Sequence, residues 1–222
     1  MLKLENVTKS YTQGTKNIEV LKDLNFEVSS NQSKAIMGKS GSGKSTLLSL
    51  ISGILKADSG EVTLDGHDYS KLNESKLTHL RATHIGFIFQ NFHLVTYLNA
   101  LENVMLPAKV CGQKNVEKKA QQLLEKVGLI DRLDHLPREL SGGENQRVAI
   151  ARSLIHSPKL ILADEPSGSL DEQTGDEVMK VLFEMIEKSH IALILVTHSR
   201  EVASRCQSVT YLETGKITQN DH

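Results

Sequence analysis

The sequence predicts an α/β fold on a mainly parallel sheet, and three observations predict it. Short apolar runs of strand length alternate with longer stretches of helical periodicity. A glycine-rich loop lies between one such strand and one such helix. An apolar run, Leu160-Ile161-Leu162-Ala163, ends in two carboxylates. Strands joined by helices pair in parallel through right-handed crossovers.

Each element has its own signal. Leu2, Leu4 and Val7 fit a short strand. Residues 24–28 fit a second, in which Phe26 alternates with polar neighbours. Residues 11–17 between them read as a hairpin-like loop. Residues 34–37 form a strand that runs into the glycine-rich loop, and residues 45–54 are apolar and helical. Residues 61–64 predict a strand closed by an Asp65-Gly66 turn, and residues 86–89 predict another. From 100 to 133 the pattern is helical, charged and interrupted. Glu117, Lys118, Lys119, Glu125 and Lys126 supply a polar side, and Leu123, Leu124 and Val127 an apolar one. This stretch predicts an inserted helical subdomain. The α/β pattern then returns: helix 144–156, buried strand 160–163, helix 172–188 and buried strand 192–196.

Composition narrows the function classes. The 222 residues suffice for one large α/β domain or one with an inserted subdomain. A net charge of −1 gives no global basic footprint, so no nucleic-acid partner is expected. Cys111 and Cys206 are too few for a disulfide framework, and no Cys/His group has zinc spacing. No apolar run approaches the roughly 20 residues that span a bilayer. Met1-Leu2-Lys3-Leu4-Glu5 does not read as a secretory signal. A soluble protein in a reducing, cytoplasmic compartment is expected, acting at a membrane through a partner if at all.

Three motifs carry the chemistry. Gly38-Lys39-Ser40-Gly41-Ser42-Gly43-Lys44-Ser45 matches the Walker A pattern, with a strand before it and a helix after. Glycines let the backbone curl so that successive N–H groups face a phosphate. The helix beginning near Lys44 adds its positive dipole end. Lys44 is placed to reach the β- and γ-phosphates of a nucleotide, Ser45 to hold Mg²⁺, and Thr46 to assist with phosphate. Lys39 reads as a solvated side chain beside a cradle built from backbone.

The acids Asp164 and Glu165 follow a buried strand, and open α/β sheets bind ligands outside the carboxyl ends of their strands. Asp164 is placed to hold Mg²⁺ or its water, and Glu165 to orient or deprotonate the attacking water. In Leu140-Ser141-Gly142-Gly143-Glu144, Ser141 and Glu144 form a capping box opening a helix. A cap does not require the two glycines inside it. Gly142 and Gly143 leave bare N–H groups at a helix start, a second anion site.

The order of motifs resembles the ATPase subunits of ATP-binding cassette (ABC) transporters over essentially the whole chain. That order is Walker A, Gln90 after a strand, Leu-Ser-Gly-Gly-Glu followed by Gln146–Arg152, Asp164-Glu165, Asp171 and His198. The resemblance implies a P-loop NTPase fold with an antiparallel β subdomain. It implies a core over 1–90 and 157–222 and a helical subdomain over 91–156. It implies ATP and Mg²⁺ as ligands and a head-to-tail, ATP-dependent homodimer. In such a dimer Ser141, Gly142, Gly143 and Glu144 of one copy complete the ATP site of the other. Tyr11 then corresponds to the aromatic stacked on adenine, Gln90 to the residue that touches Mg²⁺ or water and senses the transport partner, Asp171 to the loop facing the opposite copy, and His198 to the γ-phosphate switch. Taken alone, Tyr11 is a strand-end aromatic, Gln90 a polar strand end and Asp171 an acid complementing a helix dipole. His67, His93 and His156 show no metal spacing and read as surface or packing residues.

Residues 85–94, Ala100-Leu101-Glu102-Asn103-Val104 and Ala163-Asp164-Glu165-Pro166 resemble the lipoprotein-release, macrolide-export and cell-division branch. Residues 133–137 and 173–176 resemble its YbbA group, which implies an integral-membrane, YbbP-like permease at the inner face of the bacterial inner membrane. Ser167, Ser169, Asn145 and Ser199 depart from the branch, which usually has Thr, Asn, Gln and Asp there. An exporter or mechanotransmission ATPase is expected. An ATP-gated clamp recruiting a cell-envelope enzyme and a soluble ABC ATPase acting on DNA or ribosomes remain alternatives.

Overall fold

The computed structural model describes residues 1–218. In chain order it begins with β1 (Leu2–Gln13), β2 (Lys16–Val28), β3 (Ser33–Met37), α1 (Lys44–Ile51), β4 (Ser59–Leu64), β5 (His67–Asp68) and α2 (Glu74–His84). There follow β6 (Ile85–Phe89), α3 (Ala100–Val110), α4 (Glu117–Lys126), α5 (Gly142–Leu154), β7 (Leu160–Asp164) and α6 (Glu172–Ser189). The chain continues with β8 (Ala192–Val196), α7 (Arg200–Ser204), β9 (Ser208–Glu213) and β10 (Lys216–Thr218). Among the described residues no helix is long and apolar enough to cross a membrane. The chain divides into two compact units, Met1–Arg81 with the residues from Ala192 onward, and Ala82–Ile191.

The first unit holds two sheets. One is antiparallel, in the order β2-β1-β4-β5. Its register places Leu4 opposite both Phe26 and Val62. Leu2, Leu4, Leu24, Phe26, Val28, Val62 and Leu64 are all buried, the alternation expected when one face packs inward. The hairpin between β1 and β2 is tighter than expected. Tyr11 pairs with Ile18 and Gln13 with Lys16, so the turn shrinks to Gly14 and Thr15. Both faces of that tip are exposed, so no apolar alternation marked it as strand.

In the other sheet β3 pairs in parallel with β8 and β9, and β10 closes antiparallel on β9. Every residue of β8 is buried, as the unbroken apolar run requires. Helix α2 and the elements α7, β9 and β10 carry no strong pattern. In α2 only Leu77 and Leu80 are buried, and α7 and β10 span five and three residues.

In the second unit β6 and β7 pair in parallel, from Ile85 opposite Leu160 to Phe89 opposite Asp164. Leu160, Ile161 and Leu162 are at most 1% exposed. Burying each contributes roughly 1.5–3 kcal/mol. Helices α3, α4 and α6 and strand β6 pack around α5. Val148, Ala149, Ile150 and Ala151 of α5 are fully buried, which makes α5 the central helix of this unit. Asn103 on α3 is also fully buried. It accepts from Val95 N–H and donates to the carbonyls of Val95, Leu98 and Asn99, fixing the approach to α3.

Candidate functional site

The Walker A loop connects β3 to α1 in the first unit. Gly43 is the N-cap of α1 at φ 106°, ψ 7°. The positive φ there favours glycine, and a Cβ would in addition crowd Leu21 Cδ2 at 2.9 Å and Val20 O at 3.1 Å. No side chain caps α1, and its first turn carries no acid. The positive end of the helix dipole is therefore not offset by the protein itself. Lys44 Nζ donates to Gly38 O (2.7 Å) and Lys39 O (2.9 Å), bracing the loop from within. Among the described residues Ser42 Oγ is buried without a hydrogen-bond partner. Ser40, Gly41 and Ser45 are exposed, Thr46 is half-buried, and Lys39 is exposed as a solvated side chain should be. A buried unpartnered hydroxyl beside an uncapped helix start suits an anion with several acceptor oxygens.

Tyr11 lies on the β1 hairpin, 41% exposed, beside the 44% exposed Ile18. Lys9 Nζ sits 5.9 Å from the Tyr11 ring centroid and pairs with Asp58 at 2.6 Å. An exposed ring next to an exposed aliphatic side chain is a surface on which a flat base can stack.

In the second unit, the parallel register ends β6 and β7 side by side, so Gln90 and Glu165 both emerge at the carboxyl end of this strand pair. Glu165 adopts φ 47°, and Gly168 N–H donates to its carbonyl. That turn carries the chain back over Gln90. A Cβ on Gly168 would come within 3.0 Å of Gln90 Nε2, and Ser169 Oγ donates to Gln90 O at 2.8 Å. Ser169 is one of the departures from the branch, and it holds the Gln90 backbone. Asp164 and Glu165 are half-buried.

The capping box at α5 is complete. Ser141 Oγ accepts from Glu144 N–H (3.2 Å), and Glu144 Oε2 accepts from Ser141 N–H (2.7 Å). That backbone donor, helped by the Ser141 hydroxyl and Arg132, holds the Glu144 carboxyl below its ordinary pKa. Gly142 is exposed at the first helical position. Gly143 is buried, and a Cβ on it would meet Thr174 Cγ2 at 2.5 Å. The second glycine thus has a packing reason that the sequence did not show: α5 starts against the first turn of α6.

Asp171 is the N-cap of α6, accepting from Thr174 N–H at 3.0 Å. This bond is the main cause of its lowered pKa. The structure thus refines the local reading of Asp171 from a first-turn acid to a cap. His198 is exposed just beyond β8 in the first unit. Ser199 N–H donates to Thr197 Oγ1 while its own Oγ accepts from Val202 N–H, capping α7. Serine fills a cap as well as aspartate does, so the departure at 199 leaves the segment after His198 anchored. His156 Nε2–H donates to Ile85 O (3.1 Å), and burial depresses its pKa, in keeping with a packing role. His93 stacks edge-on against the Phe89 ring. Gln146 and Arg152, quoted in the sequence only as part of a motif, turn out to bond the backbone near Gln90. A charged residue inside an otherwise apolar helical run was the one available signal.

Comparison with known proteins agrees with this arrangement. Residues 21–168 match the ABC transporter family. The lipoprotein-releasing system ATP-binding protein LolD of Legionella pneumophila (strain Paris) is 45% identical over 219 residues, covering 98% of this chain and 96% of the relative. The uncharacterized ABC transporter ATP-binding protein YbbA of Escherichia coli (strain K12) is 42% identical over 221 residues, covering 99% and 97%. The dimeric post-hydrolysis structure of an ATP-binding cassette bound to ADP and Pi superposes with a TM-score of 0.88. It is 39% identical and covers 99% of this chain and 97% of that one. The expected fold and branch are borne out, and the chain belongs to the ABC transporter family as an ATP-binding cassette of the kind found in LolD and YbbA.

Proposed function

We propose that this chain binds and hydrolyses ATP to drive an integral-membrane permease, as a head-to-tail dimer that closes on nucleotide. The observation that carries the proposal is the α1 start: uncapped, free of acid in its first turn, and preceded by a buried, unpartnered Ser42 hydroxyl. Such an end attracts phosphate.

Roles follow the motif order. Tyr11 stacks on adenine. Backbone N–H groups from Gly38 to Thr46 and the Lys44 ammonium bind the phosphates. Glu165 orients the attacking water and accepts its proton, and His198 contacts the γ-phosphate. Ser45, Gln90 and Asp164 offer hard oxygen ligands of the kind Mg²⁺ takes beside nucleotide phosphates. When bound there, Mg²⁺ neutralises charge on the transferring phosphoryl group. Ser141, Gly142, Gly143, Glu144 and Asp171 face the second copy. The core covers 1–90 and 157–222 and the helical subdomain 91–156. The permease is YbbP-like and places the chain at the inner face of the bacterial inner membrane.

The test is a pull-down from detergent-solubilised membranes with tagged Glu165→Gln, ATP and Mg²⁺. The expected catch is one integral membrane protein with a large periplasmic domain. Recovery of ribosomes, DNA or soluble proteins alone would overturn the permease assignment and leave the ATPase assignment standing.

A further inference from the structure

The loop that follows Gln90 is strained, and one side chain holds it. Phe92 and His93 are adjacent bulky residues at φ 58° and φ 47°, a left-handed conformation that L side chains adopt at a cost. His93 N–H bonds back to Asn91 O, an i to i+2 link around a positive-φ residue, which is a rare and strained turn. Strain of this kind persists where surroundings over-determine it.

Arg152 supplies that constraint. Its Nη2 donates to Phe92 O (2.6 Å) and its Nη1 to His93 O. The two carbonyls meet the planar fork that guanidinium presents and ammonium lacks. Arg152 is half-buried, burial works against its charge, and among the described residues no carboxylate pairs with it. The carbonyls therefore offset its desolvation, and the guanidinium offsets their strain. The residues around Gln90 are held as well. Fully buried Gln146 donates to Phe89 O, and Ser169 to Gln90 O. Gln146 and Arg152 both stand on α5, the helix that opens with Ser141-Gly142-Gly143.

We infer that Arg152 is a positioning residue for ATP turnover: its fork on Phe92 and His93 fixes the loop so that Gln90 is held in register with α5. This rests on the reading of Gln90 as a Mg²⁺ or water contact. Arg152 belongs to the same helix as Gly142 and Gly143, so a shift of α5 moves the Gln90 loop with it. Arg152 touches neither nucleotide nor metal in this account.

The test is a double-mutant cycle on the full chain, with ATP turnover, ATP affinity and thermal midpoint all measured. Arg152→Lys keeps the charge and loses the fork. It is expected to lower kcat about tenfold while KM for ATP stays within about twofold, since small misplacements of a catalytic group cost rate. Gln90→Ala combined with Arg152→Lys is expected to turn over no more slowly than Gln90→Ala alone. Adding His93→Gly to Arg152→Lys is expected to recover most of the loss, because glycine takes positive φ unaided. Losses that multiply in the double mutant, or no recovery with His93→Gly, would overturn the inference and leave Arg152 a packing residue. Full turnover in Gln90→Ala would instead remove the Gln90 reading, and the inference with it. If Arg152→Lys does not fold, amide exchange on the wild-type chain decides. The Phe92 and His93 amides should open together with α5, and exchange as fast as the exposed Gly14-Thr15 turn would contradict the strap.

Discussion

Helix α1 begins behind a left-handed Gly43, with no side-chain cap and no acid in its first turn. Helix α5 begins behind Ser141, with a full capping box and the Glu144 carboxylate at its third position. Both start at glycine-containing motifs, and both look like anion sites in the sequence. The structure separates them. At α1 the protein leaves the positive end uncompensated and braces the loop with Lys44. At α5 it spends one helix-start amide on Ser141 and sets a carboxylate, paired with Arg132 at 3.3 Å, beside the others. An anion should therefore bind α1 in a single chain. At α5 it should bind only when a second copy delivers it already held elsewhere.

The largest effect expected from breaking this contrast is at α1. Lys44→Ala removes both the proposed phosphate contact and the brace on Gly38 O and Lys39 O. Turnover should fall by on the order of 10²–10³ or more, the scale of losing one preorganised electrostatic contact. Nucleotide binding should fall with it, as a fluorescent ATP analogue would report. Next comes Gly143→Ala. The 2.5 Å approach to Thr174 forces α5 and α6 apart, and overpacking of this kind costs roughly 1–3 kcal/mol. Thermal unfolding should show it. Gly142→Ala, whose Cβ meets Leu170 Cδ2 at 3.0 Å, should cost less. Equal losses at 142 and 143 would remove the packing distinction between the two glycines. Ser141→Ala should cost about 1 kcal/mol by loss of the cap, with single-chain ATP affinity unchanged.

The smallest effect is in pH. Glu144 has a depressed folded pKa, so its contribution is present above its ordinary value of 4.5 and is lost as pH falls through the folded value. Solvent screening keeps that contribution small at a site this close to the surface. Wild type should therefore be slightly more stable than Glu144→Gln near neutrality and lose that margin on acidification.

Much of the site was legible because its signals are local. The Walker A spacing, the apolar run ending in Asp164-Glu165 and the S-x-x-E box each specify a loop, a strand end or a helix start over a few residues. Strands β7 and β8 were legible for the same reason: their apolar residues are buried on both faces and read as continuous runs. The rest depends on contacts distant in sequence. Nothing near Gly143 announces Thr174, and nothing near Arg152 announces the carbonyls of Phe92 and His93, some 60 residues earlier. The outer half of the β1–β2 hairpin, exposed on both sides, is held by backbone pairing that leaves no trace in side-chain pattern. Short, half-polar β9 is fixed by its place beside β3.

The most direct test of the division between α1 and α5 is the mass in solution of Glu165→Gln, with and without ATP and Mg²⁺, alongside the same chain carrying Ser141→Arg. The account predicts that ATP doubles the mass of Glu165→Gln. It predicts that the added Ser141→Arg abolishes the doubling while ATP affinity stays within about threefold, since the α1 phosphate loop is built from one chain alone. A Glu165→Gln chain that stays monomeric and hydrolyses ATP at the wild-type rate would contradict it.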